Sequence, residues 1–224
     1  MPITVEAHVQ YLTAPVPQMR SIDFDATLFV HALKGRPFTN YARVRAPDGT
    51  WKLIDAKHPE VASEIFIAWA VKRIMQRHGG GAPICLVPVP NKSALVSALG
   101  QSFPTLVLAE TLAKRFKTGV YVHPALRWKR DLKKASDGGT RQAYELYLEL
   151  AVMRAPPGTP KRIVLVDDVC TSGGHLQACA AKLTAAGCVV DYAVCGAKTF
   201  HEQQPDPFSL PPITFEDFVP GATP

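Results

Sequence analysis

Asp167 and Asp168 stand at the end of the apolar run Ile163-Val164-Leu165-Val166, and after Val169 and Cys170 comes Thr171-Ser172-Gly173-Gly174. Each residue type has a chemical use. Two adjacent carboxylates can accept hydrogen bonds from a pair of sugar hydroxyls, or help hold a Mg²⁺ that bridges phosphates. Glycines let the backbone come close to a ligand and take unusual φ. Free N–H groups at the start of a helix form an anion site. The hydroxyls of Thr171 and Ser172 can donate to phosphate oxygens. The segment therefore suits a ligand that carries both a diol and a phosphate.

The same string also reads as an acidic strand end, a glycine turn and a capped helix, with no ligand at all. It differs from other phosphate motifs. No GxxxxGK[ST] loop occurs, and no GxGxxG follows the first buried strand. The two aspartates are adjacent, whereas phosphatases with a nucleophilic carboxylate usually place them one residue apart.

The elements that must position these groups follow from periodicity. Residues 24–34 read as a helix that stops before Gly35 and Pro37. Residues 41–45 and 51–54 read as short strands joined by Pro47-Asp48-Gly49, where Pro fixes φ and Gly supplies positive φ. Ile67, Ala70, Val71 and Ile74 keep the spacing of an amphipathic helix, ended by Gly79-Gly80-Gly81. Ala109, Leu112, Ala113 and Phe116 mark another, and Leu176, Cys179, Ala180 and Leu183 a third, closed by Gly187. Residues 84–89, 119–122, 163–166 and 189–194 read as buried strands.

Alternating strands and helices imply right-handed crossovers and a mostly parallel sheet covered on both faces. Ligands bind such sheets beyond the carboxyl ends of the strands. That places interest on residues 88–92, 167–174 and 196–200. The expected fold is one α/β domain over residues 1–224: N-terminal elements with a small hood to about residue 58, a core over residues 60–200, and an irregular Pro-rich tail over residues 203–224.

Composition narrows the class. At 47% hydrophobic and 20% charged, the 224 residues suit a folded domain rather than a disordered chain. No apolar run approaches the roughly 20 residues that span a bilayer, and residues 1–20 lack a basic start followed by an apolar stretch. A cytoplasmic protein is expected. None of the five cysteines forms a CxxC pair, which favours reduced core thiols over a zinc cluster. The net charge of +6 suits a phosphorylated ligand and is compatible with weak nucleic-acid binding.

The string from Val164 to Gly174 resembles the motif by which type I phosphoribosyltransferases bind 5-phosphoribosyl-1-pyrophosphate (PRPP). In layout the chain also resembles the ComF-like branch of that family, over about residues 24–198. Ala32-Leu33-Lys34 ends a helix as in that branch, and Pro88-Val89-Pro90 ends the first core strand. The resemblance implies a type I phosphoribosyltransferase-like parallel sheet with a small N-terminal hood. It implies that Asp167 and Asp168 hold the ribose hydroxyls and that Thr171, Ser172, Gly173 and Gly174 cradle the 5′-phosphate. It assigns the pyrophosphate to the loop Val89, Pro90, Asn91 and Lys92, with Mg²⁺ near Asp167 and Asp168, partly through ligand or water.

The chain departs from that branch in three places. It lacks the four-cysteine zinc finger, carries His175 where Thr or Ala is usual, and has no Pro-Gln element in the mobile loop. The basic residues 127–141 stand there instead, as an expected lid over the pyrophosphate. Lys198 and Phe200 are candidates to contact an acceptor ring.

Two functions follow as expectations. One is an enzyme that transfers the 5-phosphoribosyl group from PRPP to a nitrogen acceptor, such as a nucleobase, and releases pyrophosphate. The other is a non-catalytic PRPP or nucleotide sensor, or a DNA-uptake accessory protein. A homodimer is compatible with either.

Overall fold

The computed structural model describes residues 1–13, 18–79, 83–133, 139–156 and 162–220. Gly80 and Gly81, expected to help end a helix, and residues 134–138 at the centre of the expected lid lie outside them.

The chain opens with strand β1 (Ile3–Leu12) and helix α1 (Ser21–Leu33). Arg20 and Asp23 close a capping box at the start of α1. The Arg20 N–H donates to Asp23 Oδ2 at 3.1 Å and its guanidinium holds both carboxylate oxygens. This cap starts the helix three residues before the periodicity alone suggests. The hairpin β2 (Tyr41–Arg45) and β3 (Trp51–Asp55) forms a separate two-stranded sheet, as expected from its turn chemistry. Helix α2 (Glu60–His78) ends at Gly79.

The core then alternates. Strand β4 (Ile84–Pro88) leads through a short 3-10 turn to α3 (Pro104–Ala113), which has proline at its first position, where the missing N–H costs nothing. Next come β5 (Val120–Val122), β6 (Leu126–Trp128), α4 (Ala143–Glu149) and β7 (Leu150–Val152), with β6 and β7 antiparallel. Strand β8 (Arg162–Cys170), α5 (Gly174–Ala185), β9 (Val190–Phe200) and β10 (Ile213–Phe215) complete the chain.

The main sheet has the order β10-β1-β9-β8-β4-β5. Its five strands from β1 to β5 in that order run parallel, and β10 is antiparallel to β1 at one edge. The four strands expected to form a parallel sheet do so. Helices α1, α2 and α3 cover one face and α4 and α5 the other. Ile163, Val164, Leu165 and Val166 are each at most 1% exposed, because both faces of β8 are covered. Burial of each such side chain is worth about 1.5–3 kcal/mol.

Two features depart from the expected layout. Residues 3–12 form a long strand of the main sheet rather than part of a peripheral hood. The tail expected to be irregular contains β10, which pairs Phe215 with Ile3. Among the described residues, no helix is long and apolar enough to cross a membrane.

Candidate functional site

Strand β8 carries Asp167 and Asp168 toward the carboxyl end of the sheet. Beside it, β4 ends with Pro88 opposite Val166, and the Val89 N–H donates to the Val166 carbonyl at 2.9 Å. The loop Val89, Pro90, Asn91 and Lys92 thus leaves the sheet next to the aspartates. Thr105 Oγ1 donates to the Val89 carbonyl at 2.5 Å, and Trp128 Nε1 donates to the Pro90 carbonyl at 3.0 Å. Asn91 Oδ1 accepts from the Ser93 hydroxyl at 2.8 Å, folding the loop into a turn that leaves Lys92 exposed.

The two carboxylates have different surroundings. Asp167 is 7% exposed, and its Oδ1 accepts the Asp168 N–H at 2.8 Å. Burial, reinforced by the neighbouring Asp168 charge, pushes its pKa well above the usual carboxylate range; Lys34 opposes this. Asp168 is half-buried. Its Oδ2 accepts from Lys34 Nζ at 2.8 Å and its Oδ1 from the Val169 N–H at 2.6 Å. Lys34 caps the C-terminal end of α1, so the helix delivers a cation to the acidic pair. Periodicity marks Lys34 only as a helix end; the Ala32-Leu33-Lys34 string is the signal for its position.

After Cys170 the chain turns into α5. Gly173 caps the helix with φ +86°. An added Cβ would lie 2.5 Å from the Phe215 ring, and at Gly174 it would lie 2.0 Å from the Arg141 carbonyl oxygen. The fold itself therefore demands both glycines, by backbone conformation and by close packing, whatever binds there. The Gly173 N–H faces the Cys170 sulfur. Gly174 is buried beneath the Arg141 carbonyl, whereas Ser172, which precedes the helix, is exposed.

The other expected residues are redistributed. Lys198 Nζ donates to the carbonyls of Thr171 and Thr199, both at 2.7 Å, and lies 5.3 Å from the Phe200 ring centre. Its amine braces the loop instead of reaching outward. Arg127 and Trp128, expected within the lid, belong to β6 and are 4% and 1% exposed. The alternation of β6 sends Arg127 over the Phe103 ring at 4.6 Å and Trp128 into the opposite cluster. Lys129 Nζ donates to the Leu148 carbonyl at 2.6 Å, and Arg130 pairs with Glu149 at 2.6 Å. Lys129 and Arg130 are exposed all the same, as are Lys133 and Arg141 within the described part of the basic segment. His175, near the start of α5, is exposed with its ring 5.6 Å from Trp128.

A stability prediction follows from Asp167. Its folded-state pKa is raised above the usual value of 3.8, so the native state holds a proton that the unfolded chain releases. Stability is then fullest below the unfolded pKa and falls as pH rises through the raised one. Asp167→Asn keeps the shape without the charge. At pH 7 it is expected to raise Tm by about 2–4 °C, the equivalent of ~1 kcal/mol for a chain of this size. The gain should vanish as the pH is lowered toward 4, as followed by thermal melts across pH. A lower Tm at pH 7 would contradict the assignment.

The fold and site define a mixed α/β protein with an acidic pair at the carboxyl end of a parallel sheet, placed directly before a helix N-terminus. No protein-family model matches the chain, and no curated protein matches it either.

Proposed function

We propose that the chain binds Mg²⁺-PRPP at the carboxyl end of β8 and transfers its 5-phosphoribosyl group to a nitrogen acceptor, as a phosphoribosyltransferase. The observation that supports this most is the continuity of the site. The acidic pair at a strand end, the loop of residues 89–92 beside it, and the glycine-capped start of α5 adjoin one another at the carboxyl end of the sheet. Ribose hydroxyls, pyrophosphate and 5′-phosphate need these three kinds of contact.

In this reading Asp167 and Asp168 hold the ribose hydroxyls. Asp167, which retains a proton more readily than a usual carboxyl, can donate as well as accept; Asp168 accepts, held in place by Lys34. Ser172, exposed before α5, offers its N–H and hydroxyl to the 5′-phosphate, with Thr171, Gly173 and Gly174 shaping the turn. The bond from C1 to the pyrophosphate oxygen breaks with its electron pair leaving on pyrophosphate, the acceptor nitrogen bonds to C1, and the nitrogen loses its proton. Lys92, Lys133 and Arg141 are the exposed cations available to offset the charge on the leaving group.

Mg²⁺ enters this scheme with the substrate. A hard cation takes about six oxygen ligands. Both oxygens of Asp168 are already engaged, and the described residues contain no group of three or more His, Cys, Asp or Glu suited to a metal. Phosphate oxygens and water would supply most of its ligands.

The test is calorimetric titration with PRPP in the presence of Mg²⁺, followed by a screen of nucleobases for pyrophosphate release. Saturable binding and release with at least one base are expected. The bracing of Lys198 against Thr171, which removes one candidate for the acceptor, favours a second reading in which PRPP is bound and sensed without transfer. Binding with no release for any base would select that reading. No binding of PRPP would sink both.

A further inference from the structure

The β2–β3 hairpin presents a strand edge that the rest of the fold leaves open. Its two strands form a sheet by themselves, and among the described residues β3 pairs with β2 alone. The Ala46 N–H donates to the Thr50 carbonyl at 2.8 Å, which sets the alternation of the ladder. By that alternation Arg43 turns its N–H out of the hairpin, where it donates to Asp25 Oδ1 of α1 at 3.1 Å. Leu53 stands opposite Arg43, and Trp51 opposite Arg45. The N–H and C=O groups of Trp51 and Leu53 therefore also point away from the partner strand, toward the uncovered edge of β3.

The side chains along this edge are exposed on both faces of the strand. Trp51 and Leu53 are 48% and 55% exposed on one face, and Lys52 is exposed on the other. Tyr41 and Arg43 of β2 extend the first face and are exposed too. The Arg45 guanidinium lies over the Trp51 ring at 5.1 Å, and the Phe208 ring stands at 89° to it with centres 5.7 Å apart. The indole is thus held as a fixed apolar wall, which suits an aliphatic neighbour better than a stacked base.

The charge of the hairpin segment is one-sided. Residues 36–58 contain five Lys and Arg against two aspartates. Both aspartates serve the local backbone: Asp48 Oδ1 accepts the Thr50 N–H at 2.9 Å, and Asp55 Oδ1 accepts the Lys57 N–H at 2.8 Å. Arg45 pairs with Asp206 at 2.6 Å. Arg36, Arg43, Lys52 and Lys57 are exposed and form no ion pair among the described residues.

An open edge takes a further strand by backbone hydrogen bonds, and alternate side chains decide which strand fits. Along β3, Trp51-Lys52-Leu53 reads apolar, basic, apolar. Its complement reads apolar, acidic, apolar, because side chains directly opposed on one face interact. A second copy of β3 is a poor occupant, since antiparallel pairing about Lys52 would set lysine against lysine.

We infer that the β3 edge is a docking site for an extended acidic segment of a partner protein, in which carboxylates alternate with apolar side chains. The segment adds a third strand to the hairpin. Its apolar side chains lie beside Trp51 and Leu53, and a carboxylate lies beside Lys52. The excess of cations in residues 36–58 speeds its approach. The inference does not rest on the PRPP reading.

The probe is the blocked peptide Thr-Val-Glu-Val-Thr. It is compared with the same peptide carrying Lys for Glu, and with one in which every backbone nitrogen is methylated. Binding to the full chain is read by calorimetry, and amide hydrogen exchange reports where the peptide sits. The acidic peptide is expected to bind at low salt with Kd of about 1 mM or tighter. At roughly ten times Kd, exchange at the Trp51 and Leu53 amides should slow about tenfold. Lys52→Glu should weaken the acidic peptide about tenfold and take up the lysine peptide in its place. Leu53→Pro removes an outward N–H at a position where an edge strand tolerates proline, and should abolish binding. If that variant fails to fold, Lys52→Glu, a surface change, still decides. No binding of the acidic peptide would overturn the proposal. Equal binding of the methylated peptide would do so too, because no third strand would then form. Tighter binding of oligothymidylate would assign the cations to nucleic acid, and self-association lost in Lys52→Glu would give the edge to a second copy; either result overturns it.

Discussion

Replacing Asp167 and Asp168 together by asparagine is expected to weaken Mg²⁺-PRPP binding by about two to four orders of magnitude while leaving the chain folded. Hydrogen bonds to charged groups are worth roughly 1.5–3 kcal/mol each, and each 1.4 kcal/mol is about tenfold in affinity. The effect on stability should be small because two changes oppose each other. The Asp167→Asn change relieves the cost of a carboxylate in a buried place, where burial already shifts Asp167 toward its neutral form. The Asp168→Asn change removes the partner of Lys34, in an ion pair about a fifth to a quarter exposed on each side, and pairs in contact with solvent contribute only about 0–1 kcal/mol. The measurements are calorimetric titration and a thermal melt on the same preparations. In the transferase reading, base-dependent pyrophosphate release disappears with binding. Undiminished PRPP affinity in a folded double variant would remove the acidic pair from the site.

Much of the sheet is legible in the sequence because its strands are nearly uniform. Ile163 to Val166 and Ile84 to Val87 are apolar without interruption, and buried parallel strands read that way. Strand β1 is legible as a strand but not as a buried one. Glu6, His8 and Gln10 alternate with apolar residues, the pattern of a strand with one wet face. In the fold all three are buried, and two are satisfied by partners distant in sequence. Glu6 accepts from Tyr192 and Arg73, and Gln10 meets Asp23 and the Gln204 N–H. Periodicity cannot report such partners.

The acidic pair and the glycine turn are visible as a string, since their spacing is local. Lys34 lies 134 residues from Asp168 in sequence, and only the course of α1 brings the two together. The start of the basic segment misleads for a related reason. Arg127 looks like surface charge, yet its guanidinium carbon sits over the Phe103 ring at 4.6 Å and the residue is 4% exposed, packing that charge alone does not disclose.

Gly196→Ala is expected to destabilise the chain by about 2–4 kcal/mol and to weaken the acidic site at the same time. Gly196 lies in β9 between the strands that carry His8 and Asp168. An added methyl would come within 2.1 Å of Leu33 Cδ2 and 2.8 Å of the Asp168 carbonyl oxygen. The first contact is relieved by turning the Leu33 side chain or by moving the end of α1, and because Leu33 is 7% exposed and packed in the core, the helix end is expected to move. Lys34 follows Leu33 directly, so the same movement draws its ammonium away from Asp168. A variant in which Leu33 is cut back tests this path. Leu33→Ala alone should cost about 2–4 kcal/mol for the cavity it leaves. Combined with Gly196→Ala, it should cost clearly less than the sum of the two, because the new methyl then occupies part of that cavity. The rescue should be incomplete, since the Asp168 carbonyl is backbone and cannot withdraw. Chemical denaturation of the four proteins in the cycle measures the coupling. Strict additivity would show that Leu33 does not bear on Gly196, and that α1 is held over the acidic pair by other contacts.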